Sequence, residues 1–543
     1  MIIAKAICLF VELEYWWIRL LALPINLFYN DGRQDARGSN TLLMRIKMMR
    51  YFTKLECTVG FFALLAALIT SPAVAELKLP AVVGDHMVLQ QSRPVPLWGW
   101  TQPGNEVTVS IAGQTVKAKP DDKGRWQVEL APMKAGGPFE LVVSDASGDK
   151  KTIHDVMVGE VWVCSGQSNM EFSLSRANNS QEEIKNANYP KLRLFKVQKA
   201  VADTPQDNCT GDWIVCKPDS IGPRSAVGYF FGQELLKELK VPIGLLQTSV
   251  GGTPAEAWTS RKALESKPIL RPILKVWDAK VAKSADEKNN KRRPANLYNA
   301  MVAPLIPYAI RGAIWYQGEG NVNQAYQYRT LFPVMIENWR EKWGQGQFPF
   351  GFVQLAPYNY HRKGRPPECC PELWEAQLLT LKKVPNTGMA VTMDIGDVKD
   401  IHPKNKQDVG RRLALWALAR TYDKSDLVYS GPIYESMGIE GHKIRLRFDH
   451  VDGGLATSDG KPPSDFTIAG ADKKFHPAKA KIDGDTIVVH SPAVADPVAA
   501  RYAWRDDAGP NLTNKSGLPA SPFRTDKWKG VTQGNRRPRM KKR

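Results

Sequence analysis

Apolar and polar positions divide the chain into three successive patterns. From residue 76 to 155, short apolar runs are separated by Pro-Gly, Ala-Gly and Asp-Asp-Lys-Gly turns, and similar short runs return beyond residue 426. Between them, from 156 to 425, strand-like runs alternate with amphipathic stretches of helical length. Regularly spaced short strands are typical of a β-sandwich, and alternating strands and helices of a parallel sheet covered by helices. The pattern therefore predicts an α/β domain at 156–425, an N-terminal β-sandwich at 76–155 and a C-terminal β-region at 426–530.

One apolar run ends abruptly in small and polar residues. Residues 161–164 are Val-Trp-Val-Cys, and residues 165–170 are Ser-Gly-Gln-Ser-Asn-Met. This pattern predicts a buried strand that delivers Ser168 to a tight turn before a helix. A serine hydroxyl becomes a useful nucleophile when a base lies within hydrogen-bonding reach and donors point at the oxyanion. Ser168 is thus a candidate nucleophile, and a turn that merely caps a helix is the alternative.

A histidine is the expected base, and the chain has eight. His402 stands apart because it follows the strand-like run 389–394, and Pro403 leads into the predicted helix 405–421. In an open α/β fold, the last strand-to-helix loop of the sheet reaches the edge where Ser168 is expected. His361, in a loop rich in Arg, Lys and Pro, is a candidate substrate contact.

Two other predicted strands end in polar or glycine-rich turns. The run 242–250 leads into Gly251 and Gly252, which allow backbone N–H groups to approach a ligand closely. The run 313–316 leads into Gln317 and Glu319. At each place an ordinary turn or a loop-stabilising hydrogen bond is the alternative interpretation.

Four blocks of the sequence resemble the sialate O-acetylesterase branch of the SGNH (GDSL-like) hydrolases. In chain order they are residues 166–170, 251–258, 315–319 and 394–403. The resemblance implies an SGNH-type parallel sheet and an esterase that removes O-acetyl groups from sugars. It assigns Ser168 as nucleophile and His402 as base. It also implies an oxyanion hole made by the backbone N–H groups of Ser168 and Gly252, with Gly251 as an alternative, and by the Gln317 side-chain amide.

The acid partner of His402 departs from the superfamily pattern. The superfamily commonly places Asp three residues before the histidine, where this chain has Lys399. Asp400, Asp394 and Glu319 are the candidates for a carboxylate that orients the imidazole and stabilises its cation, and Asp400 ranks first. A Ser-His dyad supported by a backbone carbonyl is the alternative.

Polar side chains in and beside these blocks are the candidate substrate contacts. They are Gln167, Asn169, Asn321 and Asn296. The expected substrate is an acetylated sugar or polysaccharide. Acetylated sialic acid is the family's named substrate, and acetylxylan or another polysaccharide is the alternative. A glycan-binding protein whose hydrolase domain has lost activity is the alternative from another class.

The two ends of the chain differ in composition from the rest. A basic stretch near Met48, the apolar run 59–69 and the small residues that end at Ala75 form the pattern of a secretory signal peptide. We therefore expect a secreted or periplasmic protein, with a mis-called extension ahead of the signal and no stable membrane insertion. The basic residues 531–543 predict a disordered tail.

Charge and cysteine content add little chemistry. The formal net charge is +19, but the sequence carries no nucleic-acid module, dinucleotide fingerprint or zinc motif, so we expect no nucleic-acid partner, cofactor or metal. Cys209 and Cys216 flank a short loop and are a candidate disulfide pair, whereas adjacent Cys369 and Cys370 make a poor metal site.

Overall fold

The computed structural model describes residues 76–535. The predicted signal peptide and the last eight residues of the predicted tail lie outside this range. The first strands are β1 (Val88–Gln90), β2 (Val95–Trp100), β3 (Val107–Ile111), β4 (Gln114–Ala118), β5 (Arg125–Leu130), β6 (Gly136–Asp145) and β7 (Lys150–Gly166). β2 pairs with β5, and β3 lies between β4 and β6, all antiparallel. Trp98 and Trp126 are fully buried, so these aromatic residues pack in the interior instead of forming a surface for sugars.

The central sheet contains β7 and six later strands. They are β8 (Tyr189–Val197), β9 (Gly211–Cys216), β10 (Ile243–Ser249), β11 (Gly312–Tyr316), β12 (Phe350–Val353) and β13 (Thr387–Ala390). Their order is β13-β12-β11-β7-β10-β8-β9, and every pair is parallel except β8 with β9. All residues of β10, β11 and β12 are buried, as expected for strands covered on both faces.

Strand β7 belongs to two sheet regions at once. Its first part pairs antiparallel with β6, and its last part pairs in parallel with β10 and β11. The boundary predicted at residue 155 therefore falls inside one 17-residue strand. Asp155 has a φ of +55° and accepts hydrogen bonds from Arg193 and His86 at that point. The N-terminal strands and the central sheet thus share one continuous backbone segment.

A buried carboxylate holds β7 against its surroundings. Glu160 accepts hydrogen bonds from Arg311 at 2.6 and 2.9 Å, from Gln91 at 2.6 Å, from Gln90 at 3.2 Å and from Tyr422 at 2.9 Å. These partners lie at the end of β1, just before β11 and just after the last helix of the central region. Because a buried charge is stable only when it is paired and hydrogen-bonded, the five bonds fix the position of β7.

Helices cover both faces of the central sheet. They are α1 (Ser168–Glu171), α2 (Ser180–Asn186), α3 (Ala226–Leu239), α4 (Arg261–Glu265), α5 (Arg271–Lys283), α6 (Ala325–Trp343), α7 (Cys369–Lys383) and α8 (Gln407–Thr421). Phe332 of α6 packs on Phe350 and Phe352 of β12, whereas Trp416 of α8 lies against Gly351. Successive strand residues point to opposite faces, so α6 and α8 lie on opposite sides. Among residues 76–535, no helix is both long and apolar enough to cross a membrane.

The C-terminal region is built from short strands. They are β14 (Ile433–Glu440), β15 (Lys443–Asp449), β16 (Leu455–Thr457), β17 (Phe466–Ala469), β18 (Phe475–Pro477), β19 (Lys479–Asp483), β20 (Thr486–His490), β21 (Ala499–Tyr502), β22 (Leu512–Asn514) and β23 (Phe523–Arg524). They form the antiparallel sheets β14-β15-β20-β19, β18-β17-β21-β23 and β16-β22. These sheets and the covered central sheet confirm the predicted α/β fold with a C-terminal β-region.

The start of the predicted disordered tail is ordered. The backbone N–H groups of Val531 and Thr532 and the Thr532 hydroxyl donate hydrogen bonds to Glu372 of α7. Thr532 is fully buried. The prediction of disorder from residue 531 was therefore wrong for residues 531–535, because a buried carboxylate on a distant helix binds this segment.

Candidate active site

Three neighbouring strands end at one edge of the central sheet. Gly166 at the end of β7 is in register with Ser249 of β10 and Tyr316 of β11. The carboxyl ends of parallel strands meet at the same edge, where open α/β folds bind their ligands. The residues that follow these strands at this edge include Ser168, Gly251, Gly252 and Gln317.

Ser168 and His402 are in direct contact. The Nε2 atom of His402 lies 2.9 Å from the Oγ atom of Ser168, although 234 positions separate the two residues. The imidazole stacks beside the ring of Phe172, with a centroid distance of 6.4 Å. A hydroxyl and an imidazole at this distance have the geometry of a nucleophile and its base.

The surroundings of His402 keep its imidazole neutral. Burial lowers the pKa of His402, the nearby Asp400 carboxylate acts in the opposite direction, and the cations Lys406, Arg176 and Lys363 lower this pKa further. The net result is a pKa below the ordinary value. His402 is therefore an uncharged proton acceptor at neutral pH, which is the form that a general base requires.

Asp400 influences His402 through its charge. Its Oδ1 atom accepts the backbone N–H of His402 at 2.9 Å and lies 3.7 Å from the imidazole Nδ1 atom. The second distance is too long for a hydrogen bond. Asp400, the candidate that the sequence ranked first, is thus near His402, but it makes no hydrogen bond to the imidazole ring.

The other two candidate acids have different partners. Both oxygens of Asp394 accept hydrogen bonds from Arg412 of α8, at 2.7 and 2.6 Å. Glu319 accepts a hydrogen bond from Asn169 at 2.5 Å, and burial raises the pKa of this carboxyl. The predictions that Asp394 or Glu319 orients His402 find no support in these contacts, because neither carboxylate makes a hydrogen bond to His402 within residues 76–535.

Two backbone N–H groups are free to act as oxyanion donors. The N–H of Gly251 donates to Glu171 at 2.7 Å, whereas the N–H groups of Ser168 and Gly252 make no hydrogen bond within residues 76–535. Lys291 donates to the Gly251 carbonyl at 2.8 Å. In a trans peptide the C=O and N–H point in opposite directions, so this contact sets the direction of the Gly252 N–H. Gly252 has a φ of +75°, which favours glycine.

Gln317 does not fit the predicted role of side-chain oxyanion donor. Its amide nitrogen donates to Asn321 at 2.7 Å and to the Thr253 carbonyl at 3.2 Å, and its oxygen accepts from Tyr328 at 3.0 Å. The side chain is fully buried. The amide therefore stabilises the turns after β10 and β11, and both of its N–H bonds are already used.

The four predicted substrate contacts form hydrogen bonds inside the protein. Asn321 accepts from the Ala255 N–H and donates to Glu256, and Asn296 donates to carbonyls of the loop at residues 288–290. Gln167 accepts a hydrogen bond from the Gly320 N–H, and Asn169 donates hydrogen bonds to Glu319 and to the Ile401 carbonyl. These side chains stabilise the loops at the sheet edge, so the prediction that they bind substrate finds no support in their contacts.

The described residues contain five unpaired cysteines and one cluster of potential metal ligands. Cys164, Cys209, Cys216, Cys369 and Cys370 are all free, so the candidate Cys209–Cys216 disulfide is not formed. His361, Asp506 and Asp507 lie close enough to hold a metal. Both oxygens of Asp506, however, already accept hydrogen bonds from the backbone and imidazole of His361, at 2.8 Å each. These bonds explain the cluster without an ion.

Known proteins are similar to this chain in sequence and in fold. Residues 158–419 match the family model described as a carbohydrate esterase, sialic acid-specific acetylesterase. Human sialate O-acetylesterase is 32% identical over 82% of this chain and 92% of that protein, and the mouse protein is 30% identical over the same shares. This chain belongs to the sialate O-acetylesterase family. The crystal structure of a carbohydrate acetylesterase from Xanthomonas citri is 41% identical, with a TM-score of 0.76 over 83% of this chain and 100% of that one.

Sequence reasoning about this family member missed several residues at the site. Lys406, four positions after His402, is buried and donates to Asn169 at 2.6 Å. Glu171, three positions after Ser168, binds the Gly251 N–H. Residues three or four apart share one face of a helix, which was the available signal for Glu171. The sequence contains no comparable signal for Lys406, because the burial of a lysine depends on the tertiary fold.

Replacing Asp400 tests its electrostatic role. In Asp400→Asn the amide oxygen still accepts the His402 N–H, but the negative charge that raises the His402 pKa is lost. Charges about 4 Å apart in water interact by about 1 kcal/mol, and about 1.4 kcal/mol corresponds to one pKa unit. We therefore expect the acid limb of the kcat/KM profile to move to lower pH by about 0.7 of a unit. An acid limb that stays in place or moves to higher pH contradicts this role, and Asp485→Asn, at an exposed carboxylate of the C-terminal region, is the control.

Proposed function

We propose that this chain is a carbohydrate O-acetylesterase that works through a serine acyl-enzyme. The observation that carries the proposal is the 2.9 Å contact between Ser168 Oγ and His402 Nε2, beside two unused backbone N–H groups. A nucleophile, a base and oxyanion donors together are the requirements for acyl transfer.

The reaction follows from these three elements. Ser168 Oγ attacks the acetyl carbonyl carbon while its proton passes to His402 Nε2, and the N–H groups of Ser168 and Gly252 bind the resulting oxyanion. The tetrahedral intermediate expels the sugar oxygen, which takes the proton from His402. Water then attacks the acetyl-enzyme with His402 as base, and acetate leaves as the proton returns to Ser168. Each step uses groups of this chain and water alone.

Positive charge around His402 favours an acidic sugar as substrate. The Arg176 guanidinium lies 4.5 Å from the centre of the Phe172 ring, which stacks beside His402. Lys363 lies over Tyr358 at 4.9 Å, and Arg176 and Lys363 are both exposed and near enough to lower the His402 pKa. Sialic acid carries a carboxylate that such cations attract, whereas acetylxylan backbones are neutral. We therefore propose acetylated sialic acid, the sugar in the names of the curated relatives, or another acetylated acidic sugar as substrate.

We also propose that the enzyme is exported. The support is the sequence pattern of a basic stretch, an apolar run and small residues that ends at Ala75. N-terminal sequencing of the protein recovered from the periplasm or the medium should begin at or within a few residues of Glu76. Recovery of the full-length chain from the cytoplasm alone would contradict export.

Replacing the nucleophile tests the mechanism. Ser168→Ala should lower kcat/KM for p-nitrophenyl acetate and for acetylated sugars by about 10⁴-fold or more, since removal of a catalytic serine typically has effects of this order. Ser175→Ala, at an exposed serine seven positions away, is the matched control and should retain the wild-type rate. Equal rates for Ser168→Ala and the wild type would contradict the proposed serine esterase mechanism. That outcome would favour the inactive glycan-binding alternative.

Removing the two cations tests the substrate class. The double variant Arg176→Ala/Lys363→Ala should raise KM for O-acetylated sialic acid roughly tenfold, because exposed ion pairs contribute up to about 1 kcal/mol each. Acetylated xylo-oligosaccharides, which lack a carboxylate, should keep their KM. Measurements at pH 8, where His402 is neutral, separate binding from the change in the His402 pKa. A wild-type preference for the neutral oligosaccharides would overturn the acidic-sugar proposal.

A further inference from the structure

Three buried polar side chains lie directly behind the Ser168–His402 pair. Lys406, Asn169 and Glu319 are 0%, 2% and 9% exposed. Lys406 Nζ donates to Asn169 Oδ1 at 2.6 Å, and Asn169 Nδ2 donates to Glu319 at 2.5 Å and to the Ile401 carbonyl at 2.9 Å. Asn169 follows Ser168 in the chain, and Ile401 precedes His402. The side-chain amide of Asn169, the residue after Ser168, is therefore hydrogen-bonded to Ile401, the residue before His402.

Lys406 and the two acceptors on the opposite side of Asn169 together determine which way this amide points. An asparagine side chain has an acceptor oxygen on one side and a donor nitrogen on the other, whereas a lysine ammonium group can only donate. The oxygen of Asn169 must therefore face Lys406, which directs the nitrogen towards Glu319 and Ile401. With the amide reversed, its oxygen would face the Ile401 carbonyl and the Glu319 carboxylate, and both contacts would be repulsive.

Burial of a lysine is costly, and this site offers limited compensation. Burial lowers the pKa of Lys406 to about 7. The ammonium group lies over the rings of Phe172 at 4.8 Å and Tyr316 at 5.2 Å, which are cation–π distances. A buried methionine would fill similar space without the desolvation cost. The retained ammonium group is therefore better explained by its contact with Asn169 than by packing.

We propose that Lys406 is a positioning residue for the esterase reaction, acting through Asn169 to hold His402 against Ser168. This inference rests on the proposed function. In this role Lys406 touches neither substrate nor reacting atoms. It fixes the Asn169 amide, the amide fixes the Ile401 carbonyl, and the Ile401 position sets where the imidazole of the next residue lies.

The lysine also has an electrostatic signature that a purely structural residue would lack. The charged groups that act on His402 are Asp400, which raises the His402 pKa, and Lys406, Arg176 and Lys363, which lower it. Loss of the Lys406 charge therefore raises the pKa of His402. His402 then remains neutral only at higher pH than in the wild type, so the acid limb of the activity profile moves to higher pH.

Lys406→Met is the primary test, with p-nitrophenyl acetate and an acetylated sugar as substrates. We expect kcat to fall about 10- to 100-fold for both substrates, since small displacements of reacting groups have effects of this size. KM should stay within about twofold, because no substrate contact is lost, and the acid limb of kcat/KM should move to higher pH. Lys404→Met, which removes an exposed charge two positions away, is the matched control and should leave kcat and the acid limb unchanged.

A double-mutant cycle tests whether the effect passes through Asn169. In Asn169→Ala the amide is absent, so adding Lys406→Met should lower kcat little further. Residues that act through one contact show such non-additivity. Independent effects that multiply in the double variant would overturn the proposed route. So would a raised KM for the sugar with unchanged kcat in Asn169→Ala, since that result assigns Asn169 to substrate binding.

Two controls keep the outcomes distinct. Thermal unfolding and far-UV circular dichroism establish whether each variant folds, and if Lys406→Met does not, the kcat and KM values of Asn169→Ala decide the question. Loss of hydrolysis in Ser168→Ala establishes the reaction itself. Once that loss is observed, a folded Lys406→Met enzyme with wild-type kcat and an unmoved acid limb would overturn the positioning role alone.

Discussion

The candidate site depends on a contact between a serine at the centre of a sheet and a histidine that follows the edge strand. Ser168 follows the central strand β7, whereas His402 follows the edge strand β13, three positions away in the order β13-β12-β11-β7. Neighbouring strands are about 4.8 Å apart, so the segment after β13 must cross roughly 14 Å. The crossing segment, residues 391–406, has almost no regular structure and is held by hydrogen bonds from side chains. Arg412 donates to Asp394, and Asn169 donates to the Ile401 carbonyl. Within the segment, Asp400 accepts the His402 N–H. Placing an imidazole at 2.9 Å from a hydroxyl therefore relies on polar contacts from several elements.

The polar residues at the sheet edge divide into a small proposed reacting set and a larger supporting set. Ser168 contacts His402, and the Gly252 N–H makes no hydrogen bond within residues 76–535. Gln317, Asn321 and Glu256 form a buried hydrogen-bonded network that connects the turns after β10 and β11. Buried amides and carboxylates are stable only when paired, and such pairing makes a loop rigid. The supporting set thus lets the glycine-rich turns keep the definite shape that the proposed oxyanion hole requires.

The sequence predicted that Ser168 and His402 lie together because strand ends leave a clear pattern. An apolar run that breaks into Gly-Gln-Ser, and a His-Pro before a helix, locate Ser168 and His402 in chain order and at the correct edge. The supporting residues were misassigned because a sequence lists polar groups without their partners. Asp394 lies at a strand end and was a candidate acid partner, but its hydrogen bonds come from Arg412 on the next helix. Gln317 has the right chemistry for an oxyanion donor, but Asn321 and Thr253 occupy both N–H bonds.

The long strand β7 has a consequence for how this protein can be divided. A cut near residue 155 would fall within a ladder of backbone hydrogen bonds, not in a linker, because antiparallel pairing with β6 passes directly into parallel pairing with β10 and β11. Residues 156–425 expressed alone would begin with half a strand and would lack the glutamines at residues 90 and 91 that bind Glu160. The N-terminal strands are thus an integral part of the scaffold that carries Ser168. Any exchange of these strands for a sugar-binding module from another protein would have to preserve β7 intact.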